Sequence, residues 1–241
     1  MMISALANPK RFLDLSKALL PWTAALAFLL LGIGFYWALF RTPPDYQQGQ
    51  SVKIMFVHVP AAYMGIMIYG VMAGASLVGL VFRHPLADVA AKSAAPIGAA
   101  FTALALLTGS LWGRPMWGTF WQWGDARLVS ELILFFIYMG YIALWNAIDE
   151  PQRAAKAAAI LSLVGAADVP IIHFSVDWWN TLHQPASILR PGGPTIDSSF
   201  LWPLFIMMAG YTILFVWLWL LRMQTEIFER RARALMLAKG A

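Results

Sequence analysis

Cysteine is absent from the 241-residue sequence, and charged residues are scarce. Without a thiol the chain cannot be a disulfide-exchange enzyme. Only 12% of its residues are charged, which is about half the share in soluble domains, whereas 60% are hydrophobic. Glycine loops of the Walker or dinucleotide-binding type are missing too, and nothing indicates nucleic-acid binding. Such a chain cannot cover a soluble surface with polar groups, so we predict an all-α integral membrane protein.

Six apolar stretches are long enough to cross a bilayer. A spanning helix needs about 20 apolar residues, because each residue rises about 1.5 Å and the hydrocarbon is about 30 Å thick. The connections are too short for a separate soluble domain, so we expect one membrane domain over residues 1–241. The predicted spans are residues 18–40, 54–82, 93–113, 128–148, 157–176 and 200–221.

The distribution of Lys and Arg predicts the orientation. If both termini lie on one side, that side carries twelve of the 17 basic residues and the opposite side carries five. Cytoplasmic loops carry the excess of positive charge, so both termini are predicted to be cytoplasmic. The loops after spans 1, 3 and 5 then face outward, and the basic C-terminal tail suits anionic lipid or a cytoplasmic partner.

Tryptophan is concentrated on the predicted outer side. Eight of the 12 tryptophans fall there, and three of them occur within residues 117–123. The simplest interpretation is the aromatic belt, in which indole rings settle at both membrane interfaces. The alternative is an apolar surface that binds a flat aromatic ligand by stacking and burial. If this stretch is helical, Trp117 and Trp121 share one face, because they are four residues apart.

Two of the four histidines, His58 and His183, belong to outer segments on either side of the tryptophan-rich loop. A single membrane histidine is more often a hydrogen-bonded packing residue, and we interpret His173 in that way and His84 as a residue of a cytoplasmic loop. Two imidazoles facing each other across an aromatic surface suit six-coordinate haem iron, which takes donors above and below a planar macrocycle. No third histidine or carboxylate cluster joins them, which argues against zinc.

The charged residues near the loop admit two roles. Haem carries two propionates, which an arginine fork can pair with, and Arg127 is better placed for this than Arg114 or Arg190. A purely structural role is also open, in which Asp125 caps the N-terminus of span 4. Arg127 would then pair with Glu131, four residues further along the helix.

One acid falls inside a predicted span. Asp168 lies two residues before Pro170, which we expect to kink span 5. Buried acids in spans usually face a polar interior and carry function. A local role, in which Asp168 accepts hydrogen bonds where Pro170 frees the backbone, is equally open, so it is a secondary candidate.

Three segments together resemble the haem exporter protein C (CcmC) family of cytochrome c maturation haem-handling proteins. These segments read WGRPMWGTFWQWGDARLVSELIL, HFSVDWWNTLHQP and FVHVPAAY. The family belongs to a wider group defined by a tryptophan-rich outer loop, the WWD domain, which corresponds here to about residues 112–130. The resemblance covers nearly the whole chain, because the six spans, both histidine segments and the loop occur in the family's order.

The resemblance implies that the chain binds haem b transiently and without covalent attachment. His58 and His183 match the family's two outer histidines, which are the axial ligands of haem iron. Further predicted haem-binding residues come from the tryptophan loop and from the other outer aromatic positions. They are Trp112, Trp117, Gly118, Trp121, Trp123, Asp125, Arg127, Trp178 and Trp179.

The resemblance also implies a location and partners. Family members present haem at the periplasmic face of the bacterial inner membrane to the haem chaperone CcmE, which attaches it covalently through its own histidine. An ATP-binding-cassette complex of CcmA and CcmB, with the small subunit CcmD, then releases the loaded chaperone. We therefore expect a haem-handling protein rather than an enzyme, with at most haem-lyase-like assistance in that attachment.

One position departs from the family pattern. The family motif runs Trp-Asp-x-Arg, whereas Gly124 stands here between Trp123 and Asp125. One extra residue would rotate a helical continuation by about 100°. Glycine tolerates positive φ, so Gly124 can absorb the step in a turn. The sequence therefore does not determine on which face, relative to the indoles, Asp125 and Arg127 lie.

Two other functions compete with haem delivery. A b-type cytochrome subunit for quinol electron transfer would also carry histidines, but such subunits usually place them well inside the spans. A permease for a hydrophobic or anionic solute would use the tryptophans as a belt and would have a polar path that includes Asp168.

Overall fold

The computed structural model describes residues 8–185, 187–188 and 190–240, and within them the chain is helical without a β-strand. A π-helical turn, Trp37–Arg41, extends the first α-helix, and a short 3-10 helix, Gln50–Ile54, leads into the second. The α-helices are α1 Pro9–Tyr36, α2 Met55–Phe82, α3 Ala87–Trp117, α4 Ala126–Ala147, α5 Pro151–Gly165, α6 Asp168–Trp178 and α7 Ser198–Gly240.

Six helical stretches of the described chain are long and apolar enough to cross a membrane, which confirms the predicted number and fold class. Five are α1 to α4 and α7, with the short turns that extend the first two, and the sixth is α5 and α6 together. Large apolar side chains are exposed on the outside of the bundle, where lipid would replace water as the solvent. Among them are Phe28, Phe40, Phe82, Phe136 and Val164.

The fifth span is interrupted at Ala166 and Ala167, between α5 and α6. Pro170 has no N–H, so the carbonyl of Ala166 lacks its normal helical donor. It accepts instead from the N–H of Val169 at 3.3 Å, which tightens the turn. The break falls where Pro170 was expected to kink the helix, and it places Asp168 in a buried position at the start of α6.

Tyrosines join the helices in the centre of the bundle. Tyr138 on α4 donates to the carbonyl of Gly65 on α2 at 2.8 Å, and Tyr69 on α2 donates to the carbonyl of Ser162 on α5 at 2.9 Å. Their rings meet edge to face with centroids 5.2 Å apart. Gly98 on α3 is required at this point, because a Cβ there would lie 2.2 Å from the Tyr138 hydroxyl oxygen.

The bundle has two distinct ends. At the terminal end, the starts of α1 and α3 meet the second half of α7 in an apolar cluster of Leu86, Val89, Met223 and Ile227, packed by Phe12 and Leu13. The loop end carries the three connections that follow the first, third and fifth spans, which are residues 42–49, 118–125 and 179–197. The predicted site residues lie toward the loop end.

Candidate functional site

His58 lies in the first turn of α2 and is oriented by α3. Its Nδ1 lies 3.0 Å from the carbonyl oxygen of Ala105 and 3.2 Å from Oγ1 of Thr108. The Thr108 hydroxyl donates to the carbonyl of Leu104 at 2.6 Å, so both neighbours of Nδ1 act as acceptors. Nδ1 therefore carries the proton, and the lone pair of Nε2 is free to bind a metal.

The last turns of α3 are shaped around this imidazole. A Cβ on Gly109 would lie 2.8 Å from Cε1 of His58, so only glycine lets the ring sit against the helix. Trp112, one turn further on, meets the ring edge to face with centroids 5.7 Å apart. Its indole N–H donates to Oε1 of Gln48 at 3.1 Å, which ties the first loop to α3.

The tryptophan-rich loop begins where α3 ends. The helix stops at Trp117, and Gly118 follows with φ +78°, a left-handed conformation that glycine adopts readily. The helical alternative for residues 117–121 is therefore wrong, and Trp117 and Trp121 do not share a helix face. The loop is instead stabilised by Thr119, whose hydroxyl donates to the carbonyl of Trp121 at 2.9 Å.

Trp121 and Trp123 pair within this loop, with ring centroids 5.4 Å apart and planes at 70°. Trp121 is half-buried, and its indole N–H has no hydrogen-bond partner in the described part of the chain. Trp123 is 73% exposed, so an apolar ring stands at the surface of the loop end. This pair presents broad aromatic surface that the rest of the fold does not cover.

His183 approaches the same loop from the third connection. Its ring meets Trp117 with centroids 5.0 Å apart and planes at 61°. Burial lowers the pKa of His183 below its ordinary value of 6.5, although the nearby Asp125 carboxylate opposes that shift. The imidazole is therefore neutral at neutral pH, which is the form that binds metals.

Asp125 joins the two loops. It is 2% exposed, and its Oδ1 accepts from the N–H of Leu128 at 3.0 Å, which caps α4. Its Oδ2 accepts from the N–H of Leu182 at 2.6 Å, next to His183. The Nδ1 of His183 lies 3.7 Å from Oδ1 and has no hydrogen-bond partner among the described residues.

The extra residue Gly124 is accommodated in a turn in which the N–H of Asp125 donates to the carbonyl of Gln122 at 3.1 Å. Gly124 does not adopt positive φ, contrary to the expectation from sequence. The turn directs Asp125 inward, onto the start of α4 and the third loop. The predicted cap on α4 is therefore present, and both carboxylate oxygens of Asp125 accept from backbone amides.

Arg127 is half-buried in the first turn of α4, near Asp125, Glu131 and Asp177. None of these acids forms an ion pair with it within 4 Å in the described structure, so the proposed Arg127–Glu131 pair is not formed. Arg127 lies near both His58 and His183. The guanidinium is therefore available beside both imidazoles.

Trp178 and Trp179 occupy the end of α6 and are 56% and 51% exposed. Trp178 stacks on Phe174 with centroids 5.3 Å apart, and the two indoles meet edge to face at 5.8 Å. Their aromatic partners thus come from α6 and from each other rather than from the tryptophan-rich loop. They extend the exposed aromatic surface of the loop end.

Sequence reasoning missed the residues that orient the histidines. Thr108 and Gly109 lie in an apolar run, and no local pattern links them to His58, which is 50 residues from Thr108. Glu131, which the sequence offered as a partner for Arg127, is buried instead, and its Oε1 has no hydrogen-bond partner in the part of the chain that the structure describes.

The arrangement can bind a planar metal complex. His58 directs Nε2 away from the Ala105 carbonyl, burial favours neutral His183, and each imidazole packs against a tryptophan of α3. Among the described residues, no group of three or more His, Cys, Asp or Glu side chains could hold a bare metal ion. The donor set therefore fits two axial positions on a macrocycle that supplies the other ligands itself.

Comparisons with known proteins agree on one family. Residues 2–238 match the family model described as heme exporter protein C. Proteins of that name are similar to this chain in Bradyrhizobium diazoefficiens, with 62% identity over 98% of this chain and 89% of the relative. In Paracoccus denitrificans the identity is 47% over 95% of both chains, and in Escherichia coli K12 it is 46% over 95% of this chain and 91% of the relative.

Proposed function

The chain belongs to the heme exporter protein C family, and from that premise we propose that it binds haem b non-covalently and presents it for transfer in cytochrome c maturation. One observation carries the proposal. Two neutral imidazoles, His58 and His183, are held beside one tryptophan-rich loop, and each is packed by a tryptophan at the end of α3. This is the donor arrangement that a six-coordinate haem iron requires.

The histidines act as the axial ligands. His58 offers Nε2, because its Nδ1 is committed to the Ala105 carbonyl. His183 is the second ligand, on a connection whose described residues form no helix or strand. Haem, when bound, supplies the iron and the planar ring, and the chain supplies two nitrogens and fixes their orientation.

The aromatic residues divide into two groups. Trp112 and Trp117 pack against the imidazoles and hold them in place. Trp121, Trp123, Trp178 and Trp179 offer ring surface to the macrocycle, and burial of that surface contributes most of the binding free energy. Gly118 ends α3 so that the loop can turn between the two histidines.

Arg127 pairs with a haem propionate. Its guanidinium lies near both imidazoles and forms no ion pair in the described chain. A fork of N–H donors suits a carboxylate, and a propionate at this position would receive it without breaking an existing pair. Such a contact would orient the ring and leave the opposite edge exposed at the surface.

Delivery takes place on the periplasmic side of the inner membrane, with both termini in the cytoplasm. The loop end carries fewer basic residues than the terminal end, as expected for the side away from the cytoplasm. The exposed indoles there suit handover to the chaperone CcmE, with CcmA, CcmB and CcmD in the later release step. The chain acts by positioning haem and not as an enzyme.

Haem content and the visible spectrum of the purified protein test this proposal. Wild-type protein should copurify with haem and show the spectrum of bis-imidazole ligation. The double variant H58A/H183A should lose both, whereas H173A, which removes an exposed histidine of α6, should retain them. Unchanged haem content in the double variant would contradict the ligand assignment, and rapid reduction of the haem by quinol would favour an electron-transfer subunit.

A further inference from the structure

Asp125 is the point at which three parts of the loop end meet. One carboxylate oxygen caps α4 through Leu128, and the other accepts the N–H of Leu182 at 2.6 Å. The residue that follows Leu182 is the proposed ligand His183. A side chain that is 2% exposed and has both oxygens occupied by backbone amides is directed into the protein.

We infer that Asp125 is a positioning residue for iron ligation: it fixes the loop that carries His183 and directs the imidazole through its Nδ1. The inference rests on the proposed function, because it assumes that His183 binds haem iron. It assigns Asp125 a role different from the haem contact expected from sequence.

The chemistry of the contact requires a carboxylate. Two N–H groups from different segments approach Asp125, and only a carboxylate offers an acceptor to each. An asparagine has one acceptor oxygen, so one of the two amides would face an NH2 group. Asparagine is a good helix cap, so it can keep the bond to Leu128 while losing the bond to Leu182.

The charge matters as well as the hydrogen bonds. The Nδ1 of His183 faces Oδ1 of Asp125 at 3.7 Å, and no other hydrogen-bond acceptor occupies that nitrogen in the described chain. A negative charge on this side of the ring favours the proton on Nδ1 and the lone pair on Nε2. Carboxylates placed in this way behind metal-binding histidines orient the ring and increase its basicity.

Variants of Asp125, Asp197 and His183 test the inference, with haem affinity and redox potential as readouts. D125N should weaken haem binding by about tenfold or more, the usual effect of losing such a supporting contact. The midpoint potential of the haem should rise, because a less basic imidazole stabilises ferric iron less. D197N is the matched control: Asp197 accepts the Ser199 N–H at 2.8 Å at the start of α7, and its replacement should change neither readout.

The variant H183G with added imidazole separates positioning from general stability. Free imidazole replaces the ligand and is not tethered to the loop. In that background, D125N should change haem affinity by no more than about twofold, because the effect acts through His183. An equal loss in both backgrounds would show that Asp125 only stabilises the fold, and an unchanged affinity and potential for D125N alone would also overturn the inference.

The two proposals fail in different ways. If wild-type protein contains no bis-imidazole haem, or if H183A retains it, the proposed function or its ligands are wrong. If wild-type protein contains that haem and H183A loses it, but D125N behaves as D197N does, only the positioning role of Asp125 is wrong. Thermal unfolding of apo-D125N provides a readout without haem, and a folded apo-protein makes the affinity comparison valid.

Discussion

The two ends of the bundle both carry tryptophans and charged residues, but they use them differently. At the terminal end, Glu226 forms ion pairs with Lys92 and Arg230, each at 2.7 Å. Both cations lie over the ring of Trp145, at 4.9 Å and 5.8 Å from its centroid. The indole N–H of Trp219 donates to the Ala90 carbonyl at 2.8 Å. Each charge of this network therefore has a partner inside the protein.

At the loop end the polar groups have fewer internal partners. The Nδ1 of His183 and the indole N–H of Trp121 have no hydrogen-bond partner, and Arg127 has no ion pair, within the described chain. Indoles such as Trp123 stand more than half exposed. Buried titratable groups are normally paired, so His183 and Arg127 support a candidate site at the loop end.

The comparison explains why tryptophan content alone was ambiguous. An aromatic belt predicts indoles at both ends, and both ends do carry them. What separates the ends is whether the charged groups beside the indoles are paired within the described chain, as Glu226, Lys92 and Arg230 are and Arg127 is not. The loop end is therefore the candidate site.

The largest expected effect comes from the first ligand. H58A should reduce bound haem to background, because it removes one axial nitrogen and leaves its orienting contacts to Ala105 and Thr108 without a partner. Haem content per protein after purification gives the measurement. The single variant H173A is the control, and haem retained by H58A would place the ligand elsewhere.

Gly109 provides the next test, because it acts only through His58. In G109A the new Cβ would lie 2.8 Å from Cε1 of His58 and displace the ring. We expect about a tenfold loss of haem affinity, measured by haem titration, as for other contacts that orient a metal-binding histidine. G74A is matched to it, since Gly74 lies inside α2 with nothing near its Cβ position. Equal affinities for the two variants would contradict the packing role.

At the terminal end the opposite result is expected. E226Q removes the charge shared by Lys92 and Arg230, so the free energy of unfolding should fall by about 1–2 kcal/mol. Haem affinity should stay unchanged, because this network lies at the other end of the bundle. Thermal melting and haem titration of the same sample check both parts. A change in the haem spectrum without a change in melting would show that the terminal end affects haem binding and not stability, which contradicts this account.

The sequence predicts the spans of this fold but not the long-range contacts at its loop end. Apolar runs predicted six spans because a bilayer fixes the length of a helix. Gly118 directly follows Trp117 and is typical of a helix end, so a helix that includes both Trp117 and Trp121 conflicts with this signal. The bridge from Asp125 to Leu182 spans 57 residues, and the contact from His58 to Ala105 spans 47. Packing of α2 on α3 creates the second contact, and the third connection folding against the start of α4 creates the first, so no local pattern predicts them.

Acid should lower the stability of the apo-protein at the loop end, through His183. Burial lowers the pKa of His183 below 6.5, so in acid the unfolded chain binds a proton that the folded chain does not. This group therefore costs stability as the pH falls below about 6.5, and its cost is absent well above that pH. Apo-protein melting temperature, measured from pH 7.5 to 5.5, should fall less steeply in H183A than in wild type or H173A. Parallel curves would show that His183 is not buried as a neutral ring.

The smallest expected effect is at Thr108. T108V removes one of the two acceptors for Nδ1 of His58 but leaves the Ala105 carbonyl at 3.0 Å, which is enough to keep the tautomer. Haem affinity should fall by only about two- to fivefold, which corresponds to one neutral hydrogen bond. A loss as large as that of H58A would mean that Thr108 itself contacts the ligand.

Electron paramagnetic resonance of the ferric protein tests the central claim most directly, because the signal reports the axial ligands of the iron. Purified wild-type protein should give the low-spin signal of two imidazoles. H58A and H183A should each convert any remaining haem to a high-spin signal, while H173A should match wild type. A low-spin bis-imidazole signal that persists in either single variant would contradict the assignment of His58 and His183.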